Sequence, residues 1–282
     1  MKPATNSVQK SNLSPAEKTG FIACLLAALL FFIGAWFIAI LPLFLFLLLC
    51  LAAPFFPQHG IFLPIISRGI SGSKGVALTF DDGPSPSSTP IVLELLARYN
   101  LQATFFVIGE KAARHPELIA DILARGHGIA NHSWQHDNLL MLRSRRKLRQ
   151  DIHRTQEVLQ QFGIKPLLFR PPAGITNPRL KQVLLDEGLL TVTFSCRAFD
   201  QGNKKITNLA QRILQRVKPG DIILLHDVTP QTKIAKNCWK TELDTLFHAL
   251  QKNLYPVQPL ETLIDRPVMI SSPKGLQLNS LP

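Results

Sequence analysis

The sequence predicts an α/β fold on a parallel sheet for most of its length, on two observations. After Gly75, short apolar runs alternate with helical stretches, the pattern that βα repeats produce. The polar residues of those runs fall at their C-terminal ends: Asp81 and Asp82, Asn131 and His132, Arg170, Asp200, His226 and Asp227. In parallel α/β folds that rim is where sites form. About seven strands in roughly 200 residues suit either a barrel or an open doubly wound sheet, and periodicity does not separate the two.

Taken in order, residues 1–19 are polar, carry Lys2, Lys10 and Lys18, and read as a flexible tail. Residues 20–57 form an apolar segment with no charge between Phe21 and Phe56. That run exceeds the roughly 20 residues one membrane span needs and is barely enough for two. A signal-peptide core, about 7–15 residues, fits it poorly. With Pro42 as the break, a helical hairpin is expected, with spans near 21–40 and 43–57; one long tilted span is the alternative. The lysines favour a cytoplasmic N-terminus. Two spans return the rest of the chain to the cytoplasm and one places it outside; Arg68 and Lys74 lean slightly towards the return. Residues 58–74, punctuated by Gly60, Pro64, Gly69 and Gly72, read as a linker.

The soluble domain is expected over 75–265. Strands are predicted at 76–80, 103–108, 128–131, 167–170, 190–195, 221–226 and 255–259. Helices are predicted at 90–99, 110–125, 146–162, 177–187, 208–217 and 241–253. Residues 266–282 read as a loosely held tail.

The 282 residues carry a formal charge of +12, which favours anionic partners such as phospholipid head groups or acidic glycans. No nucleic-acid module and no sign of an obligate protein partner is visible in the sequence. Cys24, Cys50, Cys196 and Cys238 form no CxxC pair, so neither a disulfide framework nor a cysteine zinc site is indicated. The basic run Arg143–Arg149 reads as a solvated helix face or as a patch for anionic lipid.

The chemistry starts from "TFDDGP". Two adjacent acids at a strand end are costly unless something positive meets them. "NHSWQH" supplies His132 and His136, whose i, i+4 spacing puts both imidazoles on one face of a helical turn. With one carboxylate they make a two-His-one-carboxylate metal site, leaving the other acid free as a base. "FRPPAG" places Arg170 to orient that acid. "IILLHD" offers His226 as a proton donor near neutral pH, and "CRAFD" offers Asp200 to hold it charged. Each motif alone has an ordinary structural reading; together at one rim they point to an enzyme.

These stretches resemble the motifs of the polysaccharide deacetylase family, the NodB-homology or carbohydrate esterase family 4, over about Gly75 to Ile264. The resemblance implies a distorted (β/α) barrel with one divalent metal, often zinc. It implies Asp81 as general base, and Asp82, His132 and His136 as metal ligands. Arg170 would orient Asp81, and His226 would be the general acid tuned by Asp200. The backbone N–H of Ala173 would hold the oxyanion, and Leu224 and Leu225 would shape the acyl pocket. Two positions depart from the pattern: Ala173, where many members carry an aromatic residue, and Gln201, where a Trp often follows the acid. Both bear on the substrate more than on the reaction. The expected activity is removal of an N-acetyl or N-formyl group from an amino sugar of a membrane-associated glycan or lipid-linked saccharide. The alternative is a silent, membrane-anchored carbohydrate-binding or scaffold protein, which predicts the loss of at least one of these groups. Binding of a lipid surface or nucleic acid through charge alone would leave the rim unexplained.

Overall fold

The computed structural model describes residues 13–53, 56, 59–252 and 255–271. Most of the polar tail and the last eleven residues lie outside them. The first helix, α1 (Pro15–Phe32), starts earlier than expected. Ser14 accepts the Glu17 N–H, and the Glu17 carboxylate accepts the Ser14 N–H. This reciprocal cap, with Pro15 at the first position, fixes the helix start inside the predicted tail. The chain turns at Gly34 (φ 82°), not at Pro42, and continues through α2 (Trp36–Ala39) into α3 (Leu41–Ala52). Pro42 falls in the first turn of α3, where a proline's missing N–H costs nothing. The α3 helix runs back along α1; a Cβ on Gly20 would meet the Phe46 ring at 2.8 Å. Of these helices, α1 is long and apolar enough to cross a membrane.

The predicted linker is instead partly sheet. The first strand, β1 (Ile65–Ile66), pairs in parallel with β7 (Leu190–Val192). The remaining strands of the main sheet are β2 (Ala77–Asp81), β3 (Ala103–Val107), β4 (Gly128–Asn131), β6 (Leu168–Phe169), β8 (Cys196–Arg197) and β9 (Ile222–His226). All eight run parallel, in the order β1-β7-β6-β4-β3-β2-β9-β8. The strand expected at 190–195 ends at Val192 as β7, and the next strand, β8, follows only at Cys196 and lies elsewhere in the sheet. The strand expected at 255–259 is reduced to one bridge, Val76 to Val257, followed by α11 (Leu260–Ile264). Residues 269–271, within the predicted tail, form β10 (Met269–Ser271), antiparallel to β5 (Ile164–Pro166).

Helices α4 (Thr89–Arg98), α5 (Gly109–Arg114), α6 (Pro116–Ala124), α7 (Arg145–Gln160), α8 (Pro178–Glu187), α9 (Leu209–Leu214) and α10 (Lys233–Lys252) pack outside the sheet. Pro116 splits the one helix expected at 110–125, because it starts α6. The α10 helix begins eight residues before its expected start at 241. The sheet is curled nearly into a barrel. In a flat sheet β6 and β2 would lie about 14 Å apart, yet Arg170, just past β6, touches Asp81 at 2.6 Å. At the opposite rim Arg68, after β1, bridges to Asp221, before β9, across what would be about 29 Å of flat sheet. The core is apolar and dense: Phe80, Phe105, Phe106 and Phe169 are almost fully buried.

Candidate active site

The register sets the centre. In the parallel β2–β9 pair, Asp81 stands beside His226. Arg170 then fixes Asp81. Its Nη1 donates to Asp81 Oδ1 at 2.6 Å and to Thr79 Oγ1 at 2.9 Å, and its Nη2 donates to the Thr193 carbonyl at 2.9 Å. The guanidinium lies 3.8 Å from the centre of the Phe106 ring. A charged group this buried persists only when so fully paired. Thr79 Oγ1 in turn donates to the Ile223 carbonyl, tying the arginine to two strands.

On the other side of Asp81, His226 Nδ1 is 2.8 Å from Asp200 Oδ2. Burial opposes the charge on His226, but the Asp200 hydrogen bond and charge, then the charges of Asp81 and Asp82, more than offset it. The His226 pKa is held above its ordinary value. For Asp200 burial raises the pKa, but the His226 bond and charge bring it below the usual carboxylate range. Asn203 completes this corner: its N–H donates to Asp200 Oδ2, and its amide donates to the His226 and Val228 carbonyls.

Asp82 leaves the strand with φ 70°, in the left-handed region. Its Oδ1 is buried and has no hydrogen-bond donor of its own, while His136 Nε2 and His132 Nε2 converge on it at 3.1 and 3.5 Å. His132 Nδ1 lies 2.8 Å from the Arg170 carbonyl, which requires its proton there and leaves the Nε2 lone pair free to bind. One oxygen and two imidazole nitrogens, all within 4.8 Å of one another, fit a divalent transition metal. Burial would raise the Asp82 pKa, but the nearby imidazoles of His132, His136 and His226 bring it below the usual range. His132 and His136 do converge, with ring centres 4.9 Å apart, but not on a helical turn. Ser133 (φ 72°) and His136 (φ 54°) both sit in left-handed backbone, so a loop brings the rings together.

These groups line one cavity of about 670 Å³, with Ala173 and Leu224 in its walls. Leu225 does not line it. It packs in the core on the far side of β9, because successive strand residues face opposite ways. Three supporting residues had no sequence-level role. Lys111 Nζ donates to the Asp82 carbonyl at 2.7 Å. Asp227, fully buried, has its carboxyl raised to about 6 by desolvation and accepts the Thr89 hydroxyl. Gly83 lies against it: a Cβ there would meet Asp227 Oδ2 at 2.3 Å, so the turn after Asp82 admits only glycine. The third is Asn203. The adjoining Gly83 and "LLHD" were the available signals for Asp227.

A curled parallel sheet with a carboxylate and a histidine side by side and a three-donor cluster at its C-terminal rim is a framework that suits a hydrolase. The comparisons agree. The family model "Polysaccharide deacetylase" matches residues 68–192. A peptidoglycan-N-acetylglucosamine deacetylase of Bacillus cereus is 38% identical over 159 residues, 56% of this chain and 74% of that protein. A chitooligosaccharide deacetylase of Sinorhizobium fredii is 35% identical over 177 residues, 62% of this chain and 81% of that one. The peptidoglycan-N-acetylglucosamine deacetylase of Listeria monocytogenes is 33% identical, but the chain spans only 40% of its length. Among solved structures, a peptidoglycan N-acetylglucosamine deacetylase aligns with a TM-score of 0.66 at 28% identity, covering 72% of this chain and 94% of that one. The chain belongs to the polysaccharide deacetylase family. It is an enzyme, a hydrolase of carbon–nitrogen bonds other than peptide bonds.

Proposed function

We propose that this chain removes the N-acetyl group, or an N-formyl group, from an amino sugar in a membrane-associated glycan or lipid-linked saccharide. The observation that carries the reading is the division between the adjacent acids. Asp81 is already paired with Arg170, whereas Asp82 turns an orphaned oxygen towards two histidine nitrogens. Asp82, His132 and His136 would hold one divalent ion, with zinc the best match to the nitrogen and oxygen donors. Bound there, it would polarise the amide carbonyl and acidify a water. Asp81 accepts the proton of the attacking water, oriented by Arg170. His226, kept charged by Asp200, protonates the leaving amine. The Ala173 N–H faces the oxyanion, and Leu224 bounds the acyl group.

We further propose that the anchor is a two-helix hairpin with both ends on the domain, since Ala16 and Ala53 are buried in one cluster with Leu140 and Leu180. The Ala16 N–H donates to the Ile61 carbonyl, and Glu17 pairs with Lys181 at 2.7 Å. A single span over α1 would carry its start about 27 Å from its end and could not keep these contacts. An N-terminal tag and the exposed Cys238 should therefore be labelled from the same side by a membrane-impermeant reagent. Opposite sides would end the hairpin reading.

The activity test uses the full chain in detergent, with metal content measured alongside acetate and formate release from N-acetylated oligosaccharides, peptidoglycan fragments and a lipid-linked amino sugar. Metal-dependent release that Asp81→Asn abolishes without loss of metal is expected. Release indifferent to Asp81→Asn would overturn the mechanism.

A further inference from the structure

The cavity carries positive charge that the reaction leaves over. Two of its acids are paired, Asp81 with Arg170 and Asp200 with His226, and Asp82 is taken up in the cluster with His132 and His136. Arg197 and Lys204 line the same cavity, and neither is in an ion pair among the described residues. Arg197 is exposed yet held in place. Its guanidinium lies 4.3 Å from the ring centre of Phe199 and 5.3 Å from that of Phe194, within cation–π range. Phe199 is itself unusual. It is 52% exposed and sits at φ 58°, where a bulky residue is uncommon and costly. Arg216 stacks on it at 5.1 Å, and Arg212 Nη1 donates to the adjoining Ala198 carbonyl. The strained turn therefore presents an aromatic face and a stacked guanidinium to the cavity. Stacking occupies the face of a guanidinium and leaves its N–H edge for a planar or tetrahedral oxyanion.

We infer that Arg197, Phe199 and Lys204 form a subsite for an anionic substituent, a carboxylate or a phosphate ester, carried by the sugar that enters the cleft. The sugar's identity rests on the deacetylase reading above; the charge preference rests on this wall alone. Phe199 braces the Arg197 guanidinium at the cavity wall, and Arg197 and Lys204 take the charge. Ala173 lines the same cavity with only a methyl group, so a substituted sugar has room there.

The test measures binding by ligand-observed NMR, using the full chain in neutral detergent. The probes are N-acetylglucosamine, N-acetylmuramic acid and N-acetylglucosamine 6-phosphate. At low salt, at least one charged sugar is expected to bind about tenfold more tightly than the neutral one. The stronger of the two tells carboxylate from phosphate. Arg197→Gln should bring the ratio close to one, Arg197→Lys should keep more of it, and about 1 M salt should shrink it. A wild-type ratio near one, or a ratio that Arg197→Gln leaves unmoved, overturns the subsite. Acetate release from the same sugars is followed separately. Its absence from these and from the glycans and lipid-linked sugar of the activity test would overturn the deacetylase reading, while the binding ratio would still decide the subsite.

Discussion

The two halves of the rim are built differently. Asp81, Arg170, His226 and Asp200 stand at or just past strand ends, and each side chain already has a partner in the folded chain. Asp82 and His136 sit in left-handed backbone, as does Ser133 between the two histidines, and Asp82 Oδ1 has no donor. Such residues cost about 1–3 kcal/mol each. Hydrogen bonds hold the loop: Asn131 Oδ1 accepts the Ser133 N–H, and Ser133 Oγ accepts the His136 N–H. The half proposed to handle protons is finished by folding. The half proposed to bind metal is shaped by folding and would be completed by a cation.

That contrast can be broken in a graded way. The largest effect belongs to the loop half: His132→Ala or Asp82→Asn should cut metal affinity by more than about a hundredfold and abolish release, read by elemental analysis and acetate assay. Retained stoichiometric metal would show that the cluster is not the site. Asp81→Asn should do the reverse, keeping the metal while turnover falls by about 10²–10⁴-fold. Arg170→Ala leaves Asp81 buried without its counter-charge and should destabilise the fold by about 3–5 kcal/mol in urea titration. A loss under about 1 kcal/mol would mean that the strand half is not the rigid one.

The smallest effect is on pH. The His226 pKa is raised in the folded chain, so its protonated form adds stability below the unfolded value of about 6.5. That stability is lost as pH rises through the higher folded value. Asp200→Asn removes the largest support for that charge. The basic limb of the pH–rate profile should move to lower pH, with a smaller stability gain below pH 6.5. An unmoved limb would take the proton-donor role away from His226.

The strand half was legible in the sequence because an apolar run has to end before a charge, and parallel strands end together. The loop half was legible only as a spacing. His132 and His136 fit a helical turn as well as a loop, and the bend occurs at Ser133, whose turn tendency is weaker than that of Gly or Pro. Leu225 was misplaced although strand alternation already sets it opposite His226. Pro116 announced the start of α6 and was read through. Ile65–Ile66 could not be read as a strand at all, since two residues show no period and the neighbouring Gly and Pro suggest a linker. Phe199 also carried no local signal; its wall exists only because the sheet curls.

Those linker residues decide how the domain is mounted. A flexible segment of that length would let a domain wander about 20–25 Å from its tether. Here Phe62 and Leu63 are buried, Ile65 and Ile66 extend the sheet, and Arg68 clasps Asp221 at the far rim. The apolar hairpin is thus bolted to the barrel through packed residues rather than leashed to it. In the membrane mounting proposed above, the fold itself would set the height and tilt of the cleft above the lipid, and the substrate would have to arrive there.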